Sequence, residues 1–370
     1  MEMNRDFLQQ MREATELLRT DGPLAATAAI QRALLGASGA SAPRAHQTAT
    51  RSASVRPPVL RAGPAWGGVP RETILEAEVE AERNDEHAGR FLTASRTNGA
   101  GTRSYKVYVP SSYKGQSLPL VVMLHGCKQH PDDFAAGTGM NAIAEQNDCF
   151  VVYPAQARAA NGSNCWNWFK TTEQQRDRGE PSIIADITRD VVREYRIDPR
   201  RVYVAGLSAG GAMAAIMGAT YPDLYAAVGI HSGLPVGAAH DLPSAFAAMK
   251  QGSASTRPRS ASRNPIPVIV FHGDRDRTVH PRNGEQALAQ CIDSSAHDVT
   301  VEEGKVTGGH SYTRSVLSDR NGKVIAEQWC VHGAGHAWSG GSRNGSYTDP
   351  NGPDAAREML RFFSMHVRSG

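Results

Sequence analysis

Ser208 sits in Gly206-Leu207-Ser208-Ala209-Gly210, and the surroundings of this five-residue pattern give it chemical meaning. Residues 201–207 read as a short β-branched strand and residues 212–219 as a small-residue helix. A serine on the sharp turn between such a strand and helix is presented at a sheet tip as a nucleophile. Gly206 and Gly210 suit a place where strand and helix pack closely. The helix N-terminus aims backbone N–H groups at developing negative charge. The plainer alternative is an ordinary glycine-rich turn with a solvated serine.

A serine hydroxyl is a weak nucleophile at neutral pH, so it needs a base within reach and an acid to orient that base. On an elbow of this kind the acid and then the base follow the serine in chain order. Asp274 and Asp276 lie in the loop after the apolar run 268–271. Asp276 is preferred, with Val279 packing behind the loop; Asp274 is the alternative, and its plainer role is to hydrogen-bond a turn. His336 lies in Gly333-Ala334-Gly335-His336-Ala337-Trp338, a glycine-flanked loop from which a ring can swing toward Ser208. His332 is close by, on the strand side. Two backbone donors should receive the oxyanion: the N–H of Ala209, and one from the loop after residues 118–124, for which Cys127 is the choice.

These loops need a scaffold. Continuous apolar runs at 118–124, 149–153 and 268–271 fit strands buried on both faces. Residues 105–109, 226–231 and 324–331 complete the expected strands. Helices are expected over 133–146, 183–195 and 355–367, the last entered through Pro353. The alternation predicts an α/β class with a mostly parallel sheet and helices on both faces. Residues 233–265 read as irregular, either gating the substrate or serving as a surface insertion. Asp349-Pro350-Asn351-Gly352 lacks most of a calcium loop and reads as a helix-entry turn.

Three stretches divide the 370 residues: a helical appendage over 1–36, a linker over 37–90 and a catalytic domain over 91–370. Phe7, Met11, Ala14 and Leu18 share one helical face, and a second helix runs from Pro23 to Leu35. The pair reads as a docking or self-association hairpin, with adsorption to an apolar surface as the sharper alternative. Residues 37–70 hold Ala, Ser, Gly, Pro and Arg with no acid, a flexible linker composition. A net charge of +3 argues against nucleic acid as a partner. No apolar run has the length of a transmembrane helix. Glu2, Asp6, Glu13 and Glu16 occupy the place of a signal peptide's basic and apolar regions. Five cysteines, an odd number, form no C-x-x-C zinc pattern, and no metal or cofactor is expected.

Taken together, Leu124-His125-Gly126-Cys127-Lys128-Gln129, Cys165-Trp166-Asn167-Trp168-Phe169, the Ser208 elbow, His272-Gly273-x-x-Asp276-x-x-Val279 and Gly335-His336-Ala337-Trp338-Ser339-Gly340-Gly341 resemble the polyhydroxybutyrate-depolymerase-type esterases. The likeness runs in order over residues 91–370. It implies an α/β-hydrolase fold and metal-free cleavage of short-chain polyester or related carboxylic esters. It carries the nucleophile onto Ser208, the acid onto Asp276, the base onto His336 and the oxyanion cysteine onto Cys127. It also implies a Cys127–Cys165 disulfide, leaving the pairing of Cys149, Cys291 and Cys330 open. Trp166 and Trp338 become candidates to line the acyl site, with core packing as their alternative. The resemblance leaves feruloyl or acetylxylan esters as a second substrate class, and a granule- or partner-binding protein as a lesser one. No polymer-binding module is expected after the last helix. The disulfide favours an oxidising, extracellular compartment; the N-terminus favours the cytosol.

Overall fold

The computed structural model describes residues 89–254, 266–292 and 298–368. The helical appendage, nearly all of the basic linker and residues 255–265 of the irregular stretch lie outside the described residues.

The chain enters through a hairpin, β1 (Arg90–Asn98) and β2 (Gly101–Val109), and then β3 (Leu120–Leu124). Helices α1 (Pro131–Thr138) and α2 (Met140–Gln146) lead into β4 (Phe150–Pro154). Then come α3 (Gly179–Glu194), β5 (Val202–Leu207), α4 (Ala209–Thr220) and β6 (Ala227–His231). They are followed by α5 (Leu242–Gln251), β7 (Val268–Gly273) and α6 (Arg282–Cys291). The strands β8 (Asp298–Lys305), β9 (Ser311–Ser318) and β10 (Val324–Val331) follow. A two-residue pair, β11 (Trp338–Ser339) and β12 (Thr348–Asp349), precedes α7 (Ala355–Ser364).

Ten strands form one sheet in the order β1-β2-β4-β3-β5-β6-β7-β10-β9-β8. The six from β4 to β10 are mutually parallel, and antiparallel strands extend both flanks. Both faces of the parallel centre are covered. Val122, Leu124 and Val204 pack with Ile184 and Ile187 of α3 and Met213 of α4. Val121, Met123 and Tyr203, pointing the other way, pack with Phe134, Ile143 and Phe363. Adjacent residues of a strand face opposite sides, so a strand covered twice must be apolar throughout. That is why β3, β4 and β5 read as unbroken apolar runs.

The sequence expectations need three corrections. The single helix over 133–146 is two helices. Gly139 adopts a left-handed φ of 65° and its N–H bonds the Ala135 carbonyl, closing α1 before α2 begins. Residues 233–265, read as irregular, contain α5, whose Asp241 and Ser244 form a capping box. The strands β1, β8 and β9 carry little apolar alternation because they extend the sheet's flanks; seven of eight residues of β8 are exposed.

Candidate active site

Ser208 joins β5 to α4 with φ 58° and ψ −118°. A positive φ is uncommon for a residue with a side chain, so the surroundings must enforce it. They do so by tight backbone packing. A β-carbon at Gly210 would overlap the carbonyl oxygens of Leu124 and His125, and one at Gly206 would overlap the Gly210 carbonyl. The Ser208 N–H donates to the His231 carbonyl at 2.8 Å, pinning the turn to β6, and the Ser208 carbonyl accepts from Ala212 N–H at 2.9 Å. The Ala209 amide opens the helix and has no intrahelical acceptor.

The loop after β3 adjoins this turn: a β-carbon at Gly126 would lie 3.7 Å from Ser208 Cβ. Gln129 shapes the loop. Its Oε1 accepts from Gly126 N–H at 2.9 Å, and its Nε2 donates to Asp133 and to the Ser346 carbonyl, both at 3.0 Å. Lys128 N–H donates to the Ser163 carbonyl at 2.8 Å. Cys127 is disulfide-bonded to Cys165, while Cys149, Cys291 and Cys330 are free thiols.

Behind the disulfide lies Glu180, 3% exposed. Its Oε1 accepts from Gln156 Nε2 at 2.5 Å and Asn167 Nδ2 at 2.6 Å, and its Oε2 from Asn167 N–H at 2.7 Å. Burial raises its pKa, partly offset by these bonds. His125 Nε2 accepts from Gln156 N–H at 3.1 Å, and burial pushes the ring down to about 4. Motif reading missed Gln129, Glu180 and these contacts of His125. Only the His-Gly-Cys-Lys-Gln string pointed toward the first and third.

On the far side of β6, β7 and β10 run parallel, with Gly273 opposite Val331. The chains leaving them are laced together: Asp274 N–H donates to the Val331 carbonyl at 3.1 Å, and Arg275 N–H to the Ala334 carbonyl at 3.0 Å. The two candidate acids separate cleanly. Asp276 Oδ2 lies 2.7 Å from His336 Nδ1, while its Oδ1 accepts from the N–H groups of Thr278 and Val279, both at 2.8 Å. Asp274 instead faces His332 Nδ1 at 3.0 Å and accepts from Gly333 N–H at 2.7 Å, the turn role. Burial acts to raise the Asp276 pKa, but bonds from His272, His336 and Val279 N–H outweigh it and hold the carboxyl well below the usual range.

Of the two readings for Trp166 and Trp338, burial favours core packing. Trp166 is 0% and Trp338 1% exposed, so both indoles pack in the interior rather than line an open acyl site. Trp166 donates to the His125 carbonyl at 3.1 Å. Trp338 stacks on His231 at 5.0 Å and meets Phe134 edge-on at 5.6 Å. His231 in turn accepts from Ser339 N–H at 2.9 Å, and burial pushes its ring down to about 3. It thereby anchors the chain just past His336 to β6.

A mostly parallel sheet in this strand order, with a sharp serine turn between its central strand and the next helix, is an α/β-hydrolase. The family described as Esterase PHB depolymerase matches residues 103–301, more than half of the chain. The chain belongs to that family. It is 34% identical over 250 residues to poly(3-hydroxyalkanoate) depolymerase C of Paucimonas lemoignei, covering 65% of this chain and 59% of that protein. Feruloyl esterase B of Neurospora crassa is 27% identical over 288 residues, covering 73% of this chain and 90% of that protein. An acetyl xylan esterase from Aspergillus awamori has the same fold, with a TM-score of 0.57 at 20% identity, over 74% of this chain and 99% of that one. The chain spans less than two thirds of the length of the depolymerases of P. lemoignei and Ralstonia pickettii.

Proposed function

We propose that this chain is a serine carboxylic-ester hydrolase acting on 3-hydroxybutyrate-type oligomers or polymer and on small esters. The observation that carries the reading is the buried Asp276 carboxylate, 2.7 Å from His336 Nδ1, in a fold whose central strand ends at the strained Ser208 turn. In this reading Asp276 accepts the Nδ1–H of His336, which leaves the other ring nitrogen as the base. Ser208 attacks the ester carbonyl as His336 takes its proton. The N–H groups of Cys127 and Ala209 receive the oxyanion, each worth about 3–4 kcal/mol in the transition state. His336 returns the proton to the leaving alcohol, and water repeats the sequence on the acyl-enzyme. Residues 91–370 would form the catalytic domain. Residues 1–36 would act as a docking appendage for an apolar surface or a second copy.

Similarity to feruloyl esterase B over most of that protein's length supports a second reading, an esterase of plant-polysaccharide feruloyl or acetyl groups. A substrate panel separates the two: p-nitrophenyl butyrate, 3-hydroxybutyrate dimers, methyl ferulate and acetylated xylan, each with Ser208→Ala as control. The first reading expects preferential turnover of the dimers, and a loss in the variant of about 10⁴-fold or more with folding intact. A variant that keeps most of its turnover would refute the serine mechanism. Preference for methyl ferulate would move the chain to the second reading. Deleting residues 1–70 should abolish co-sedimentation with polymer while soluble-ester turnover persists.

A further inference from the structure

The parallel pairing of β7 with β10 places more than one set of side chains at the ends of these strands. Cys330 and His332 are two residues apart on β10 and its extension, so they project to the same side. Asp274 follows Gly273, which pairs with Val331, and so comes to lie beside His332. The Cys330 Sγ, a His332 ring nitrogen and an Asp274 carboxylate oxygen all lie within 4.8 Å of one another. Individually, His332 Nδ1 is 3.0 Å from Asp274 Oδ2 and 3.9 Å from Cys330 Sγ. Donors around a tetrahedral zinc, with bonds of about 2.3 Å to sulfur and about 2.0–2.2 Å to nitrogen or oxygen, are separated by about 3.3–3.6 Å. The His332–Asp274 and His332–Cys330 separations fall on either side of that range.

The surroundings suit a cation. His332 Nε2 is 2.8 Å from Thr313 Oγ1, on the strand beside β10. Metal binding would use the tautomer in which Nε2–H donates to that hydroxyl, leaving the Nδ1 lone pair beside the carboxylate. Fixing a histidine through its outer nitrogen is the usual support for a metal ligand. The second carboxylate oxygen of Asp274 is held by Gly333 N–H, which orients the first. His332 and Asp274 are 41% and 39% exposed, so the space is open to solvent. Cys330 is a free thiol.

We propose that Asp274, Cys330 and His332 form a binding site for a zinc-class divalent cation, distinct from the Ser208, Asp276 and His336 set, that clamps together the loops following β7 and β10. Thiolate with imidazole favours zinc over magnesium or calcium, which take oxygen ligands. Binding displaces the Cys330 thiol proton to solvent and forms the metal–sulfur bond. The site does not depend on the chain being an esterase.

The test uses the untagged full chain with its disulfide intact, stripped of metal by a chelator. Zinc is titrated calorimetrically, and cobalt(II) serves as the spectroscopic probe. The expected result is one equivalent bound, a thiolate-to-cobalt charge-transfer band and a raised melting temperature. Cys330→Ser should remove the band. His332→Ala and Asp274→Asn should each weaken binding by about 10-fold or more, and Thr313→Val, which leaves every ligand in place, by about 10-fold. Circular dichroism verifies that each variant is folded, and the near-isosteric Cys330→Ser and Thr313→Val keep the test open if His332→Ala does not fold. No heat and no band in the parent chain, a band that survives Cys330→Ser, or undiminished affinity in His332→Ala overturns the proposal.

Discussion

Asp276 and His336, 60 residues apart in sequence, meet at 2.7 Å, and the second oxygen of that carboxylate is occupied by two backbone N–H groups. The arrangement fixes which way an amide would sit there. In Asp276→Asn the side-chain oxygen must stay on the Thr278 and Val279 donors, so its NH₂ group faces the ring. His336 Nδ1 is then forced to accept, its other nitrogen carries the proton, and the base is lost. The expected kcat on p-nitrophenyl butyrate is about 10⁴-fold lower. A loss under tenfold in a folded variant would count against Asp276 as the orienting acid.

The Cys127–Cys165 bridge closes a separation of 38 residues. Cross-links of that span stabilise by about 2–4 kcal/mol, chiefly by constraining the unfolded chain. The double variant Cys127→Ser, Cys165→Ser should lose about that much in urea unfolding. In the proposed mechanism residue 127 supplies a main-chain donor, so kcat should fall more than KM rises, by about 10- to 100-fold. Unchanged kinetics in the double variant would mean that the loop after β3 holds its shape without the bridge.

Glu180 is the hub beneath the Cys165 segment. Glu180→Ala leaves the amides of Gln156 and Asn167 buried without an acceptor, at a cost of about 3 kcal/mol or more. Glu180→Gln offers little rescue, because its NH₂ must confront one of those donors. Both variants should melt lower and hydrolyse more slowly, read by calorimetry beside the ester assay. Parent-like melting of Glu180→Gln would show that the network tolerates a neutral partner.

Acid should destabilise this fold. Burial lowers His231 to about 3 and His125 to about 4, whereas an unfolded histidine titrates near 6.5. Below pH 6.5 the unfolded chain binds protons that the folded chain refuses, so stability falls as pH drops through that window. Each unit costs about 1.4 kcal/mol per histidine. The depressed Asp276 has the same sign at lower pH: its contribution is present above about pH 4 and is lost as pH falls further. The melting temperature at pH 5 should lie on the order of 5–10 °C below that at pH 7. His231→Gln should flatten the slope, and a level parent profile would contradict the assignment.

What could be read in advance followed from local demands. The strands β3 to β7 announce themselves because both their faces are covered. The Ser208 turn announces itself because only glycine fits at 206 and 210. The flanking strands β1, β8 and β9 stay hidden, since a mostly exposed strand shows faint alternation. Gln129 and His231 escape notice because their partners are remote: Ser346 lies 217 residues and Ser339 108 residues away. An indole's identity does not say which way it faces, so the sequence leaves lining and core packing open for Trp166 and Trp338, and both are found buried. The Asp274 and Asp276 alternative was open in sequence because both occupy one loop, and only the pairing of each with a different histidine separates their surroundings.

The strand order also has a consequence for synthesis. Ser208 follows the middle strand, β5, whose neighbour β3 and the strands beyond it precede it in the chain, whereas Asp276 and His336 follow strands β7 and β10 added later on the other flank. A chain emerging from the ribosome can assemble half of its sheet around the hydroxyl before the carboxylate exists, and the imidazole comes last. In the proposed mechanism the growing polypeptide is therefore chemically silent until its architecture is nearly complete.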